Sequence, residues 1–255
     1  MAGRLQGKIA LISGGATGMG GAASRLFAAE GAKVGIVDRN VEAGRAAVAD
    51  IQNAGGTAVF SEADVAKSAD VTRAVAEVNA ALGAINVLFN HAGTIIIKPF
   101  LETSEEEWDW LMDVNVKSMF LMTKAVLPQM IAGGGGSIVC TSSISGIVST
   151  PLEVAYSTTK GACHMFARAI AVDFRDKGIR CNAVCPGFVR TPHGLREVKE
   201  LAALGIDTSD AALAASQGRI CEPEEVARAA LFLASDEASF INGTHLFVDN
   251  GFTAV

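Results

Sequence analysis

Short apolar runs rich in β-branched residues alternate along the whole chain with longer alanine-rich segments, and this alternation limits the possible folds more than any other feature. "KIALIS" (8–13), "KVGIVD" (33–38), "TAVFSEAD" (57–64) and "NVLFNHAG" (86–93) read as strands. "SIVCTSS" (137–143), "IRCNAVCPG" (179–187) and "THLFVDNG" (244–251) continue the series. Helical spacing predicts helices over 20–32, 41–54, 69–82, 104–130, 155–177 and 223–234, with 188–221 as a looser stretch. The early strands are almost wholly apolar, as strands covered on both faces are. Such alternation implies a parallel sheet with right-handed crossovers. The glycine-rich "AGGGGS" (132–137) has the composition of a linker, but alternation continues on both sides, so it reads as a helix-to-strand turn. The expected fold is a single α/β domain over 1–255, doubly wound, with about seven parallel strands and helices on both faces.

Composition narrows the function. Half the residues are hydrophobic and 19% are charged, as in a compact globular protein. A net charge of −6 with no basic run argues against nucleic-acid binding. No apolar stretch approaches the roughly 18–20 residues of a membrane span, and "IALI" is too short for the core of a signal peptide. Cys140, Cys163, Cys181, Cys185 and Cys221 are odd in number and follow no disulfide or CxxC spacing. They read as small buried hydrophobes in a reducing, cytoplasmic setting. The four histidines share no ligand-like spacing, so no metal is expected.

The first strand runs straight into "SGGATGMG", which carries Gly14, Thr17, Gly18, Met19 and Gly20 and opens a helix. Glycine lets backbone approach a phosphate closely, and a helix N-terminus supplies N–H donors and partial positive charge. Between a first strand and a first helix, this loop reads as a dinucleotide site of the Rossmann type. Asp38 ends the second strand, 24 residues after Gly14. A carboxylate there accepts hydrogen bonds from the adenosine ribose hydroxyls and repels the extra phosphate of NADP. Arg39 beside it softens that repulsion, but Asp38 weighs more, and the expected cofactor is NAD. Asp64, Asn90, Ala92 and Gly93 fall at the carboxyl ends of the third and fourth strands, where ligands of doubly wound sheets collect.

Tyr156 is the only tyrosine in 255 residues, and Lys160 follows it at i+4 in "AYSTTK". On one helix face their Cβ atoms lie about 5–6 Å apart. A free phenol has a pKa of about 10 and is a poor base near neutral pH. A cation about 4 Å away contributes roughly 4 kcal/mol at an effective dielectric near 20. That is about three pKa units, enough to bring the phenol near 7, where a general acid–base is most useful. "TSSISG" lies just upstream at the end of the fifth strand, and its Ser143 is positioned to hydrogen-bond the reacting oxygen.

Together these residues resemble the classical short-chain dehydrogenase/reductase family over nearly the whole chain. "GGATGMG" is similar to its glycine motif, "NHAG" to its fourth-strand motif, and "PGFVRT" (186–191) to the segment flanking the nicotinamide. Asn115 within "VNVKS", Ser143 and the Tyr156/Lys160 pair resemble its catalytic tetrad. The resemblance implies Tyr156 as acid–base, Lys160 lowering its pKa and binding the nicotinamide ribose, Ser143 orienting the substrate, and Asn115 holding a relay water. It implies a pyrophosphate along Gly14, Gly18 and Gly20 with Met19 beside it, and adenine flanked by Asp64 and Val65. Asn90 falls near the adenosine ribose, and Pro186, Gly187, Val189 and Thr191 fall at the nicotinamide end. It further implies a homotetramer packed through two long helices and the C-terminal strand region, with "GFTAV" at an interface. His91 stands where the family usually has a second asparagine, and "VDNG" (248–251) replaces a pattern with two glycines; neither change removes a catalytic group.

A substrate lid is expected over about 190–221, with Arg196 and Lys199 either meeting an anion or forming a solvated helix face through Arg196–Glu200. Glu153, three residues before Tyr156, is a candidate substrate contact for a polyol or amine, or else points to solvent. Ile95, Ile97, Val148 and Leu152 are expected to wall the pocket. The reading is hydride transfer between a secondary alcohol, or its ketone, and NAD. An NADPH-linked ketone or 3-oxoacyl reductase and a non-catalytic dinucleotide-binding scaffold stand as alternatives.

Overall fold

The computed structural model describes residues 3–254. Seven strands form one parallel sheet in the order β3-β2-β1-β4-β5-β6-β7. The first half runs β1 (Ile9–Ser13), α1 (Gly18–Ala29), β2 (Lys33–Asp38), α2 (Val41–Asn53), β3 (Thr57–Glu62), α3 (Ser68–Leu82) and β4 (Val87–Asn90). The second runs α4 (Glu105–Met112), α5 (Ser118–Ala132), β5 (Gly136–Thr141), α6 (Val154–Asp173), β6 (Ile179–Pro186), α7 (Pro192–Ala203), α8 (Asp210–Gln217), α9 (Pro223–Ala234) and β7 (His245–Val248).

Alternation within each strand divides the core in two. Ala10, Ile12, Val34, Ile36, Val87 and Phe89 face α1, α2 and α9, whereas Leu11, Val37, Leu88, Ile138 and Cys140 face α3, α5 and α6. Both faces are covered, which explains the continuous apolar strands. All five cysteines are free and buried in these layers. Two glycines in the elements exist for space. A Cβ at Gly35 would lie 2.5 Å from Val78 Cγ1, and one at Gly44 would lie 2.1 Å from the Phe60 ring.

Helix ends follow local chemistry. α9 spans the predicted 223–234, starting with Pro223 and a reciprocal Glu222–Glu225 box. α1 starts at Gly18, two residues before the predicted 20. The predicted continuous helix over 104–130 is two helices joined by a π-helical turn at Asp113–Lys117. A single widened turn of this kind re-aims side chains and recurs at functional sites. The stretch read as loose, 188–221, holds α7 and α8. Thr191 caps α7 by accepting the Gly194 N–H, and Ser209 caps α8 by accepting the Ala212 N–H. Leu201 and Leu213 fasten the two helices to Phe188. The "GFTAV" tail ends at Val255, outside the described residues.

Candidate active site

β1 and β4 lie side by side while their crossovers leave in opposite directions, so a crevice opens at the carboxyl ends of the strands. It is a cleft of about 510 Å³. Gly14, Thr17, Gly18, Met19, Asp38, Arg39, Asp64, Val65, Ala92 and Gly93 line it from one end, and Ser143, Tyr156, Lys160, Pro186, Gly187, Val189 and Thr191 from the other. Gly20, Asn90, Asn115 and Glu153, also singled out from the sequence, support the cleft from behind.

The glycine loop is shaped by close approach. Gly14 and Gly18 sit at φ +65 and +54, where glycine is favoured. A Cβ on Gly14 would stand 2.9 Å from Ala92 Cα, and one on Gly20 would stand 2.1 Å from the Gly14 carbonyl oxygen. Thr17 leaves the first turn of α1 uncapped, and no acidic side chain occupies it. Free N–H groups at a helix N-terminus bordering a cleft suit the pyrophosphate of a dinucleotide. Asp38 is fixed by two backbone donors: Ala16 N–H to Oδ2 at 3.2 Å and Asn40 N–H to Oδ1 at 3.0 Å. Asn90 is buried and donates to Thr123 Oγ1 at 3.0 Å, tying β4 to α5.

At the other end, the Tyr156 ring packs with Ile95, Leu111 and Ala155. Lys160 Nζ lies 5.4 Å from the centre of that ring and donates to the Thr141 carbonyl at 3.0 Å. Burial pushes the phenol well above its ordinary value, Glu197 and Glu153 add to the rise, and the Ser143 hydroxyl opposes it. The fall toward 7 expected from the sequence is not what this geometry gives, because desolvation and two carboxyl groups outweigh the lowering by the Ser143 hydroxyl. Asn115 sits in the π-helical turn. Its Oδ1 accepts the Thr94 N–H at 2.7 Å, and its Nδ2 donates to the Thr94 carbonyl at 2.8 Å and to Thr159 Oγ1 at 3.0 Å.

Glu153 does not point to solvent. It is fully buried, its Oε2 is 3.5 Å from Ser145 Oγ, and its Oε1 has no partner. Leu152 before it takes the left-handed φ of +68, unusual for leucine, which turns the chain so that Glu153 enters the interior. Burial raises the Glu153 carboxyl to about 7. Ile95 and Ile97 pack behind Tyr156, and neither they nor Val148 nor Leu152 border the cleft; Trp110, Val114, Ile144 and Phe188 supply its apolar walls.

Three titratable residues of the cleft, His91, His193 and Glu197, were not singled out from the sequence as site residues. His91 accepts or donates through Nδ1 to Thr141 Oγ1 at 2.9 Å, and burial, then Lys160, lowers it to about 3, so the ring is neutral. His193 and Glu197 project from α7 into the cleft. Burial lowers His193 to about 4. Burial, and after it Glu153, raises Glu197 to about 8. The spacing His193, Glu197, Leu201 marks the inward face of α7, a signal visible only once 192–203 is taken as a helix.

A doubly wound sheet with a glycine-shaped cleft at its switch point is the architecture of a dinucleotide-dependent oxidoreductase. The chain belongs to the classical short-chain dehydrogenase/reductase family, whose cofactor is a nicotinamide dinucleotide. A family profile described as enoyl-(acyl carrier protein) reductase matches residues 14–253. Cyclopentanol dehydrogenase of Comamonas sp. (strain NCIMB 9872) is 42% identical over 99% of this chain and 99% of its own. The 2,5-dichloro-2,5-cyclohexadiene-1,4-diol dehydrogenase of Sphingobium indicum is 40% identical over 99% of both. The crystal structure of levodione reductase superposes with a TM-score of 0.94 at 30% identity, covering 98% of this chain and 99% of that one. Among the described residues no helix is long and apolar enough to cross a membrane.

Proposed function

We propose that this protein is an NAD-dependent dehydrogenase of secondary alcohols, acting on the alcohol or its ketone with Tyr156 as acid–base. The observation that carries the reading is the convergence of Tyr156, Ser143 and Lys160 on one end of a cleft whose other end carries the glycine loop and Asp38. Relatives named for cyclopentanol and for a cyclohexadiene diol point to ring alcohols as the first substrates to try.

Bound NAD supplies the acceptor for the carbinol hydride. The chain's own residues do the rest. The free N–H groups at Thr17, Gly18 and Met19 hold the pyrophosphate, and Gly14 and Gly20 keep the backbone clear of it. Asp38 accepts from the adenosine ribose and repels a further phosphate, while exposed Arg39 flanks it. Asp64 and Val65 border the adenine, with Asn90 bracing the strand end and Ala92 and Gly93 forming the floor. Pro186, Gly187, Val189 and Thr191 frame the nicotinamide end. Ser143 orients the substrate oxygen, and Tyr156 removes its proton in oxidation or donates one in reduction. The Lys160 ammonium supplies positive field to the phenolate so formed. Asn115 holds Thr94 and Thr159 in place beside the site. The 190–221 segment, with α7 and α8, acts as the lid on the substrate end, and the whole chain works as one catalytic domain.

The unpartnered apolar face of α5 and α6 supports a homotetramer. Phe120, Met165 and Val172 are exposed there, and a groove between the helices is lined by Leu127, Pro128, Phe166 and Ile170. A reductase of acyl substrates linked to NADPH is the second reading, favoured by the description of the matching family profile and by Arg39 beside Asp38. The deciding experiment compares kcat/KM for NAD and NADP with a panel of ring alcohols. A preference for NAD of roughly a hundredfold supports the first reading, on the like-charge argument at Asp38; equal use or a preference for NADP supports the second.

A further inference from the structure

The substrate end of the cleft carries a carboxyl group with nothing to do. Glu197 lines the cleft from α7, one turn beyond His193, yet makes no hydrogen bond or ion pair with any described residue. The nearby cations are partly engaged. Arg196 pairs with Glu200 at 3.7 Å and reaches the Ile95 carbonyl at 3.4 Å, and Lys160 donates to Thr141. Behind the wall formed by Ser145 and Thr150 lies the second carboxyl, Glu153, with an unpartnered Oε1. A half-buried carboxyl that lines the cleft with no partner among the described residues has its lone pairs free to accept from a ligand donor.

We propose that Glu197, backed by Glu153, is the specificity residue of the substrate end: it accepts a hydrogen bond from a second hydroxyl, selecting uncharged diols over simple alcohols and rejecting alcohols that carry a carboxylate. The inference rests on the dehydrogenase reading above and deepens it. The charged and titratable groups facing the pair are Tyr156, Lys160, His193, Arg196 and Glu200. Only Lys160 and Arg196 are cationic; Lys160 donates to the Thr141 carbonyl and Arg196 is shared with Glu200 and the Ile95 carbonyl, so an incoming carboxylate meets the ionised Glu197 beside cations already partly neutralised.

The test measures kcat/KM for cyclohexanol, a vicinal cyclohexanediol and a hydroxycyclohexane carboxylate in wild type, Glu197→Gln and Glu197→Leu. At about pH 9, where Glu197 is ionised, the diol is expected to exceed cyclohexanol in wild type by roughly tenfold and the carboxylate to fall at least tenfold below it. Glu197→Gln keeps an acceptor and loses the charge, so the diol ratio holds while the carboxylate gains about tenfold. Glu197→Leu collapses the diol ratio toward one. Rejection of the carboxylate deepens in wild type as pH rises through about 8, where Glu197 ionises, and stays flat in Glu197→Gln; a merely structural role for Glu197 would not move that profile. Ratios equal in all three proteins overturn the inference and leave the dehydrogenase reading standing. If wild type turns over no alcohol, the dehydrogenase reading fails, and thermal stabilisation of the NADH-loaded proteins by the same three compounds decides the inference separately. Greater stabilisation by the diol, lost in Glu197→Leu, supports it; equal stabilisation by all three compounds contradicts it.

Discussion

Tyr156 is held where its own negative charge is disfavoured. Burial, Glu197 and Glu153 all raise its pKa, so the phenol is the resting form and alcohol oxidation is expected to climb into alkaline pH. Replacing Glu197 by Gln removes one of the opposing charges, so the rising limb of the kcat profile for oxidation moves to lower pH; an unmoved limb would show that the two groups do not interact. Glu153 gives a stability prediction with the opposite readout. Unfolded, it ionises near the ordinary 4.5; folded, near 7. Between those values the folded protein keeps a proton that the unfolded chain has released, so stability falls as pH rises through that window and levels off above it. The loss is about 3 kcal/mol, or roughly 10 °C in Tm for a chain of this size. Glu153→Gln is expected to flatten that slope between about pH 5 and pH 8, as scanning calorimetry would read. That Tyr156 and Lys160 would share one face was legible in the sequence, because a lone tyrosine with a lysine at i+4 is a local pattern, and both line the cleft. The electrostatics of the site were not. The expected fall in pKa counted only an ammonium about 4 Å away, whereas the fold also buries the phenol and sets two carboxyl groups near it.

At the scale of elements, the cleft depends on two places where the backbone is constrained. At Gly14 both a positive φ and a 2.9 Å approach to Ala92 exclude a side chain. Gly14→Ala is therefore expected to weaken NADH binding at least tenfold, by fluorescence titration, and to cost about 1–3 kcal/mol of stability. The π-helical turn is the other. Asn115→Ala leaves the Thr94 amide and carbonyl without their side-chain partner, for a loss of about 2–4 kcal/mol in a urea midpoint series. Strands and their order of alternation were readable because both faces of the sheet are buried and period and composition agree. α9 was readable to its first and last residue because proline and a capping box mark its start. The π-helical turn was not, since an inserted residue leaves no gap in a helical pattern. α8 was missed, and α7 was read only as a helix face around Arg196–Glu200, because alanine, glycine and charged residues mix there and their apolar anchors, Leu201 and Leu213, are far apart in sequence.

At the scale of the molecule, the exposed α5–α6 face predicts association. Phe120 is 48% exposed and Met165 61% exposed on that face. Phe120→Glu is expected to shift the species seen by light scattering from tetramer to dimer or monomer, whereas a wild-type protein already monomeric would set the expectation aside. The measurement that bears most directly on the account is the rate of nicotinamide reduction with cyclopentanol as substrate, in wild type and Tyr156→Phe, with NADH binding measured on both. The account predicts turnover in wild type, a loss of roughly a thousandfold in the variant, and NADH binding within about twofold, because only the proton-transferring hydroxyl has gone. Turnover that persists in Tyr156→Phe would contradict the assignment of the acid–base on which the account rests.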